Sequence, residues 1–230
     1  MPKYDYSKLQ NGSDIRGVAI GGVSGEIVNL DRETTERLAK GFLYWLSSKT
    51  GKESASLTIS IGRDPRLSGP DLTDAFCQAL SPYGCRLLNA GLSSTPAMFM
   101  STIFEEYKCD GAIMVTASHL PFNRNGLKFF DRGGGLDKGD ITDIITFAES
   151  DSILNSIRGQ TPGEVAEIPL LDTYSAHLRR LIIDGTRLGE KPLTGMKITV
   201  DAGNGSGGFF ATKVLEPLGA DISSSQFLVP

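Results

Sequence analysis

The sequence predicts an α/β fold: a three-layer αβα sandwich with a mixed sheet, followed by an incomplete second α/β unit. Three observations carry this. Short apolar runs at strand spacing alternate with longer stretches of helical period. Glycines and prolines punctuate the changes between them. One pair of runs, Gly111 to Val115 and Leu127 to Phe130, is close enough to form a hairpin, which adds antiparallel pairing to an otherwise parallel order.

The elements follow in order. A strand is expected near Ile15 to Ile20. A helix starts near Asp31, carries Leu38, Phe42, Trp45 and Leu46 on its apolar stripe, and stops at Gly51. Leu57 to Ile61 alternates as a strand does. Ser68-Gly69-Pro70 opens a second helix with Leu72, Ala75, Phe76, Ala79, Leu80 and Tyr83 inward and Gly84 as its stop. Arg86 to Asn89 is the next strand. Thr95-Pro96 opens a helix with Phe99, Ile103, Phe104 and Tyr107 inward. The hairpin follows, then a helix over Lys138 to Ala148. Ser150 to Gly163 is polar and broken by Pro and Gly, so the domain boundary is placed there, giving units 1–160 and 161–230. In the second unit Leu171, Tyr174, Leu178, Leu181 and Ile182 mark a helix. Lys197 to Val200 is expected to be a buried strand, and Phe210, Val214 and Leu218 line a helix after Gly205-Ser206. One strand and two helices do not bury a core, so this unit is expected to be truncated.

Composition narrows the function. The chain has 230 residues, 40% of them hydrophobic, enough for real cores. Charged residues are 22% and the formal net charge is −4, which argues against a nucleic-acid partner. The 27 glycines exceed the usual share of about 7% without a G-x-y period. The three cysteines, Cys77, Cys85 and Cys109, form no metal-type C-x-x-C pair and fit a reducing compartment. No apolar run approaches the roughly 20 residues of a membrane span, so no membrane association is expected. The N-terminus shows neither a signal core nor transit character. The expected location is cytoplasmic, or plastid stroma if a presequence has been removed. The sequence leaves the oligomeric state open.

The segment with the strongest chemistry is Thr116-Ala117-Ser118-His119-Leu120-Pro121, with Asn125-Gly126-Leu127-Lys128 behind it. It joins two apolar strands, which puts Ser118 on an exposed turn and Lys128 on the returning strand. A nucleophilic serine needs a base and a cation for transferred charge, and His119 and Lys128 are of those types. The plainer alternative is a polar hairpin loop with a solvated lysine. A hydrolase triad lacks support, because no G-x-S-x-G surrounds Ser118.

These two segments together resemble the phosphoserine loop of the α-D-phosphohexomutases: phosphoglucomutase, phosphomannomutase and phosphoglucosamine mutase. Three further segments agree in order. Asp14-Ile15-Arg16-Gly17 resembles that family's N-terminal arginine segment, and Gly62-Arg63-Asp64-Pro65-Arg66-Leu67-Ser68-Gly69 its G-R-D-x-R-x-S-G loop. Val200-Asp201-Ala202-Gly203-Asn204-Gly205 resembles the start of its second domain. The resemblance implies that Ser118 carries a phosphoryl group in the resting enzyme. It passes that group between the 1- and 6-positions of a hexose phosphate through a sugar bisphosphate, which also serves as activator. His119 and Lys128 are then candidates for acid/base work and charge balance, and Arg16 for steadying phosphoryl oxygens. Asp64, Arg66, Asn125 and Gly126 would be supporting residues, with a structural ion-pair network as the alternative for Asp64 and Arg66.

The family's Mg²⁺ is held by the phosphoserine, here Ser118 through its phosphate, and by a D-G-D-G-D-R loop that does not occur in this sequence. Asp137, Asp140 and Asp143 step by three on an expected helix and form a solvated face rather than a metal site. The site is thus incomplete, and the chain is expected to be inactive alone. Two other readings stand beside this one. Gly203-Asn204-Gly205-Ser206-Gly207-Gly208 matches the dinucleotide fingerprint G-x-G-x-x-G, but Asp221 comes too early to be its ribose-binding acid. The third reading is a non-catalytic, mutase-like binding protein.

Overall fold

The computed structural model describes residues 5–159 and 161–229; the extreme N-terminus, Pro230 and Gln160 at the expected boundary lie outside the described residues. A single mixed sheet forms the middle layer. Its strands are β1 (Gln10–Asn11), β2 (Asp14–Val18), β3 (Thr58–Arg63), β4 (Arg86–Leu92), β5 (Gly111–Val115), β6 (Arg124–Asp131), β7 (Gly134–Gly135) and β8 (Val165–Glu167). They lie in the order β1-β2-β6-β5-β3-β4-β8, with β7 paired to β6. β5, β3, β4 and β8 are parallel; β6 runs antiparallel to both β5 and β2. This is the expected αβα sandwich with a mixed sheet. The sheet also takes in Val165–Glu167, C-terminal to the expected boundary.

Strand alternation decides what each face buries. Ile113 and Val115 point to one side with Ile59, Ile61, Leu127 and Phe129, and there meet α1 (Arg32–Thr50), α2 (Gly69–Leu80) and α4 (Lys138–Glu149). Phe42 is the centre of that layer, 4.9 Å from the Phe129 ring. Ala112, Met114 and Phe130 point the other way, against α3 (Thr95–Met100) and the first turn of α6 (Leu170–Thr186). Caps set the helix ends. Asp31 accepts the Thr34 N–H at the start of α1, and Gly51 closes it with φ of 68°. Asp137 and Asp140 form a reciprocal capping box on α4, which gives both carboxylates a structural task.

Some expectations change. The helix after Thr95 ends at Met100, where Ser101 Oγ turns back to the Met98 carbonyl at 2.6 Å. The helical phase is lost there, so Ile103 faces solvent while Phe104 and Tyr107 still pack inward. The polar stretch after Ser150 contains a short helix, α5 (Asp151–Ser156). Lys197 to Val200 is not a buried strand: only isolated parallel bridges, Lys197↔Asp221 and Asp201↔Gln226, form in this region. No layer covers those bridges among the described residues, and a lone strand pair has little face to bury. Helix α6 forms as expected, yet Leu181 is exposed.

α6 ties the two regions together. Leu170 is buried under the sheet, and the Tyr107 and Thr173 hydroxyls are 2.9 Å apart. On its other side Tyr174 meets Phe209, and Asp172 pairs with Lys213, beside α7 (Gly208–Phe210) and the π-helical turn Ala211–Leu215. Among the described residues no helix is long and apolar enough to cross a membrane.

All three cysteines are buried and unpaired. Burial pushes the thiols of Cys77 and Cys109 up to about 11 and that of Cys85 to about 12. The nucleophile is the thiolate, so a thiol reagent at pH 8 is expected to label none of them in the native protein and all three in denaturant. Rapid native labelling of Cys85 would contradict the packing described here.

Candidate active site

The order of the parallel strands creates a crevice. From β3 the chain enters α2 on one face of the sheet; from the neighbouring β4 it enters α3 on the opposite face. Loops that part in this way leave a gap beyond the carboxyl ends of the strands, where ligands bind in open α/β sheets. A cavity of about 490 Å³ fills that gap, bounded by Asp64, Arg66, Ser94, Thr116, Ser118 and the Gly203–Ser206 turn.

Ser118 stands at its rim. It is exposed, and its φ of 55° lies in the left-handed region, which is costly for a residue with a Cβ. The turn is held there by named bonds. Asp64 accepts the Thr116 hydroxyl at 2.6 Å, and Thr116 Oγ1 accepts the Ser118 N–H at 3.0 Å. One terminal nitrogen of Arg66 donates to the carbonyls of Pro121 (2.8 Å) and Arg124 (3.0 Å), the other to those of Ser118 (2.7 Å) and Leu120 (2.8 Å). Its Nε lies 3.3 Å from Asp64 Oδ2, an ion pair without hydrogen-bond alignment. The four terminal N–H groups of Arg66 are therefore spent on the loop, and this guanidinium is a clamp rather than a phosphoryl ligand.

Two more ties complete the frame. Asn125 donates to Ser68 Oγ at 2.8 Å and accepts the Gly126 N–H at 2.9 Å. Glu26 accepts from Asn123 and Arg124, whose hydrogen bonds, Arg124 first, hold its carboxyl below the usual range. That tie is present at neutral pH and is lost as pH falls through the lowered value. Gly126 is required sterically: a Cβ there would collide with the carbonyl oxygens of Ile15 and Thr116.

The cations sit one strand away. Arg16 is in register with Gly126, and Lys128 with Met114. Asp14, Arg16, Gly126 and Lys128 therefore share the sheet face that carries Met114, which borders the cavity. Asp14 joins the two: its carboxylate accepts from Lys128 Nζ at 2.5 Å and from Arg16 at 3.0 Å. Two cations around one anion leave an excess positive charge, and Arg16 Nε is buried without a partner. His119 Nδ1 is 3.4 Å from Ser118 Oγ, at the long limit of a hydrogen bond.

The family model described as phosphoglucomutase/phosphomannomutase, alpha/beta/alpha domain I, matches residues 7–152. The chain belongs to this family. It is 35% identical over 166 residues to the phosphoglucosamine mutase of Cutibacterium acnes, covering 72% of this chain and 35% of that protein. It is 33% identical over 172 residues to the phosphoglucomutase of Neisseria meningitidis, covering 74% and 34%. The chain thus spans about a third of the length of the curated relatives it matches. A solved phosphoglucomutase/phosphomannomutase family protein from Burkholderia thailandensis shares the fold, with a TM-score of 0.71 at 24% identity over 95% of this chain and 43% of that one.

For this family member, the structure gathers Ser118, His119, Asp64 and Arg66 at one rim; Arg16 and Lys128 form a triad with Asp14 on the sheet face that carries Met114, and Arg16 lines a separate pocket with Leu120 and Pro121. Sequence reasoning did not give Asp14, Thr116 or Glu26 a role. The D-x-R spacing places Asp14 and Arg16 on one strand face and was a usable signal. Nothing local marks Glu26, which lies 97 positions from its partner Asn123. The glycine turn at 203 to 208 leads into a three-residue helix and a π-helical turn instead of a regular βαβ helix, so the dinucleotide reading is not favoured.

Proposed function

We propose that this chain carries the phosphoserine region of a phosphohexomutase, an intramolecular phosphotransferase acting on a hexose phosphate. The observation that carries the reading is Ser118 itself: an exposed hydroxyl on a strained, clamped turn, at the mouth of the crevice where the strand order reverses. Exchange between Ser118 and the sugar proceeds in two balanced steps. The bond from Ser118 Oγ to phosphorus breaks as the sugar 6-hydroxyl forms its own, and that hydroxyl's proton passes by way of His119 to the departing Ser118 Oγ. The resulting 1,6-bisphosphate turns over; Ser118 Oγ then bonds the 1-phosphorus as its bond to the sugar O1 breaks, and the Ser118 proton passes by way of His119 to that O1, leaving a hexose 6-phosphate. Arg16 and Lys128 balance the charge on the moving oxygens, while Arg66 and Asp64 keep the turn from shifting.

Mg²⁺ would stabilise the phosphoryl group when bound. Among the described residues no group of three or more His, Cys, Asp or Glu is gathered to hold a metal. The carboxylates present do not fit a full Mg²⁺ site, and no step here runs through it. Mutase turnover accordingly needs groups beyond those described.

The test is phosphoryl labelling. Incubation with radiolabelled glucose 1,6-bisphosphate is expected to leave label on the peptide containing Ser118, and hexose phosphate is expected to chase it off. Label at another residue, or binding without transfer, would favour the non-catalytic reading. Lys128 offers a second check. Lys128→Met leaves Asp14 with one counter-charge and should slow transfer by about tenfold or more, whereas Lys128→Arg should stay within about threefold. Equal losses in single-turnover transfer would mean that Lys128 only fills space.

A further inference from the structure

Residues 19–30 leave β2 and come straight back to it. The Val18 carbonyl accepts the N–H groups of Asn29 and Leu30, each at 3.0 Å, and Asn29 Oδ1 accepts the Val18 N–H at 2.8 Å. Joined ends of this kind make an Ω-loop, a form that is often functional. Its tip is held less firmly. Gly22 and Gly25 take φ of 103° and 78°, nothing lies within 4 Å of where a Cβ would stand on either, and Ile27 is exposed. A loop tip with so little packing opens easily unless a specific bond restrains it. Glu26 makes that bond: its carboxylate accepts from Asn123 Nδ2 at 2.5 Å and from the Arg124 guanidinium at 2.7 Å.

Asn123 and Arg124 end the segment that begins at Ser118. Arg124 is gripped from two sides: Arg66, beyond β3, takes its carbonyl, and Glu26, beyond β2, takes its side chain. Asn123 is buried, and its carbonyl accepts the N–H groups of Ala19 and Ile20 at 2.8 and 3.1 Å, at the root of the loop. Without Glu26 the buried Asn123 amide loses its acceptor, a cost that favours movement, and the segment is free to pivot about Arg66. His119 lies inside this segment, is exposed, and stands 3.4 Å from Ser118 Oγ. Its ring therefore goes where the backbone carries it. We propose that Glu26 is a positioning residue, which ties the 19–30 loop to the 118–124 segment and so holds His119 where it can pass a proton to and from Ser118 Oγ. The inference rests on the phosphoserine reading and adds to it a carboxylate that acts through Asn123 and Arg124.

The experiment combines a rate with a spectrum. Glu26→Ala is expected to slow single-turnover transfer from radiolabelled glucose 1,6-bisphosphate to Ser118 by about tenfold, part of the roughly hundredfold that a displacement near 1 Å costs, and to leave bisphosphate binding within about twofold. Glu26→Gln, which keeps an acceptor for Asn123, should stay within about threefold of the unaltered chain. The chain has two histidines, His119 and His177, and the second packs against Phe104 from α6. In isotopically labelled Glu26→Ala the His119 ring resonances are expected to move while those of His177 hold their places, which also shows that the variant folds. If both rings move, Glu26 serves the fold at large and the inference is wrong. It is equally wrong if His119 does not move, or if Glu26→Ala transfers as fast as the unaltered chain or loses transfer and binding together; the phosphoserine reading then stands. If the unaltered chain itself takes no label at Ser118, the phosphoserine reading falls and the inference with it.

Discussion

Ser118→Ala is expected to abolish phosphoryl labelling from glucose 1,6-bisphosphate, with no residual transfer above the rate in solution. Removal of a nucleophile that forms a covalent intermediate leaves no partial route through that intermediate. The fold should not suffer, because Ser118 is exposed and its Oγ has only a long contact to His119. The backbone supplies a control. At φ of 55° both serine and alanine pay for the left-handed conformation, whereas glycine does not. Ser118→Gly is therefore expected to be equally inactive yet more stable than Ser118→Ala by about 0.5–1 kcal/mol. Thermal unfolding reads the second difference and radiolabel counting the first. Undiminished labelling of Ser118→Ala would end the phosphoserine assignment.

Arg66→Met should have the next largest effect, although Arg66 is not proposed to touch substrate. Its loss removes the shared donor of four loop carbonyls and the counter-charge of Asp64, which is only 14% exposed. The expected cost is about 2–3 kcal/mol of stability, a fall of roughly 5–10 °C in melting temperature for a chain of this size. Transfer to and from Ser118 should fall by about a hundredfold, since a displacement near 1 Å is enough for that. Arg66→Lys restores the charge without the fork and should recover the stability only in part and the transfer rate hardly at all. A positioning role predicts that the single-turnover transfer rate falls far more than bisphosphate binding weakens, and that amides 116–123 exchange faster in the variant. Normal transfer by Arg66→Met would show that the turn holds its shape without the clamp.

The two variants separate chemistry from scaffolding. In the first the turn is intact and the reacting atom is missing; in the second the atom is present and its position is lost. The Asp64–Thr116–Ser118 chain links them, because it connects the same carboxylate that pairs with Arg66 to the backbone N–H of Ser118. Strain at Ser118 is sustained by this over-determined frame.

Most of the fold was legible in the sequence because its elements obey local rules. Asp31 and Gly51 bracket α1, Gly84 ends the α2 segment, and the alternation in β5 and β6 fixes which side chains face which helices. Errors arose where a local rule met a missing partner. Lys197 to Val200 has the apolar look of a core strand, but a strand is buried only if something lies over it. Ile103 continues the apolar phase of α3 on paper, yet the helix stops three residues earlier because Ser101 bonds back to it.

The sequence by itself determined the layers, the exposed turn that carries Ser118 and the family, since caps, periodicity and the Thr116-Ala117-Ser118-His119 segment are all readable within a few residues. Only the tertiary structure decided the roles. Arg66 became a clamp because strand order brings the loop after β3 against carbonyls more than 50 positions away. Lys128 and Arg16 became members of one triad because the antiparallel pairing of β2 with β6 sets both beside Asp14. The glycine turn at 203 became a wall of the cavity because α6 packs on both regions of the chain. Hydrogen bonds and ion pairs act over a few ångströms in space, whatever the separation along the chain, and that distance is set by the packing of the whole fold.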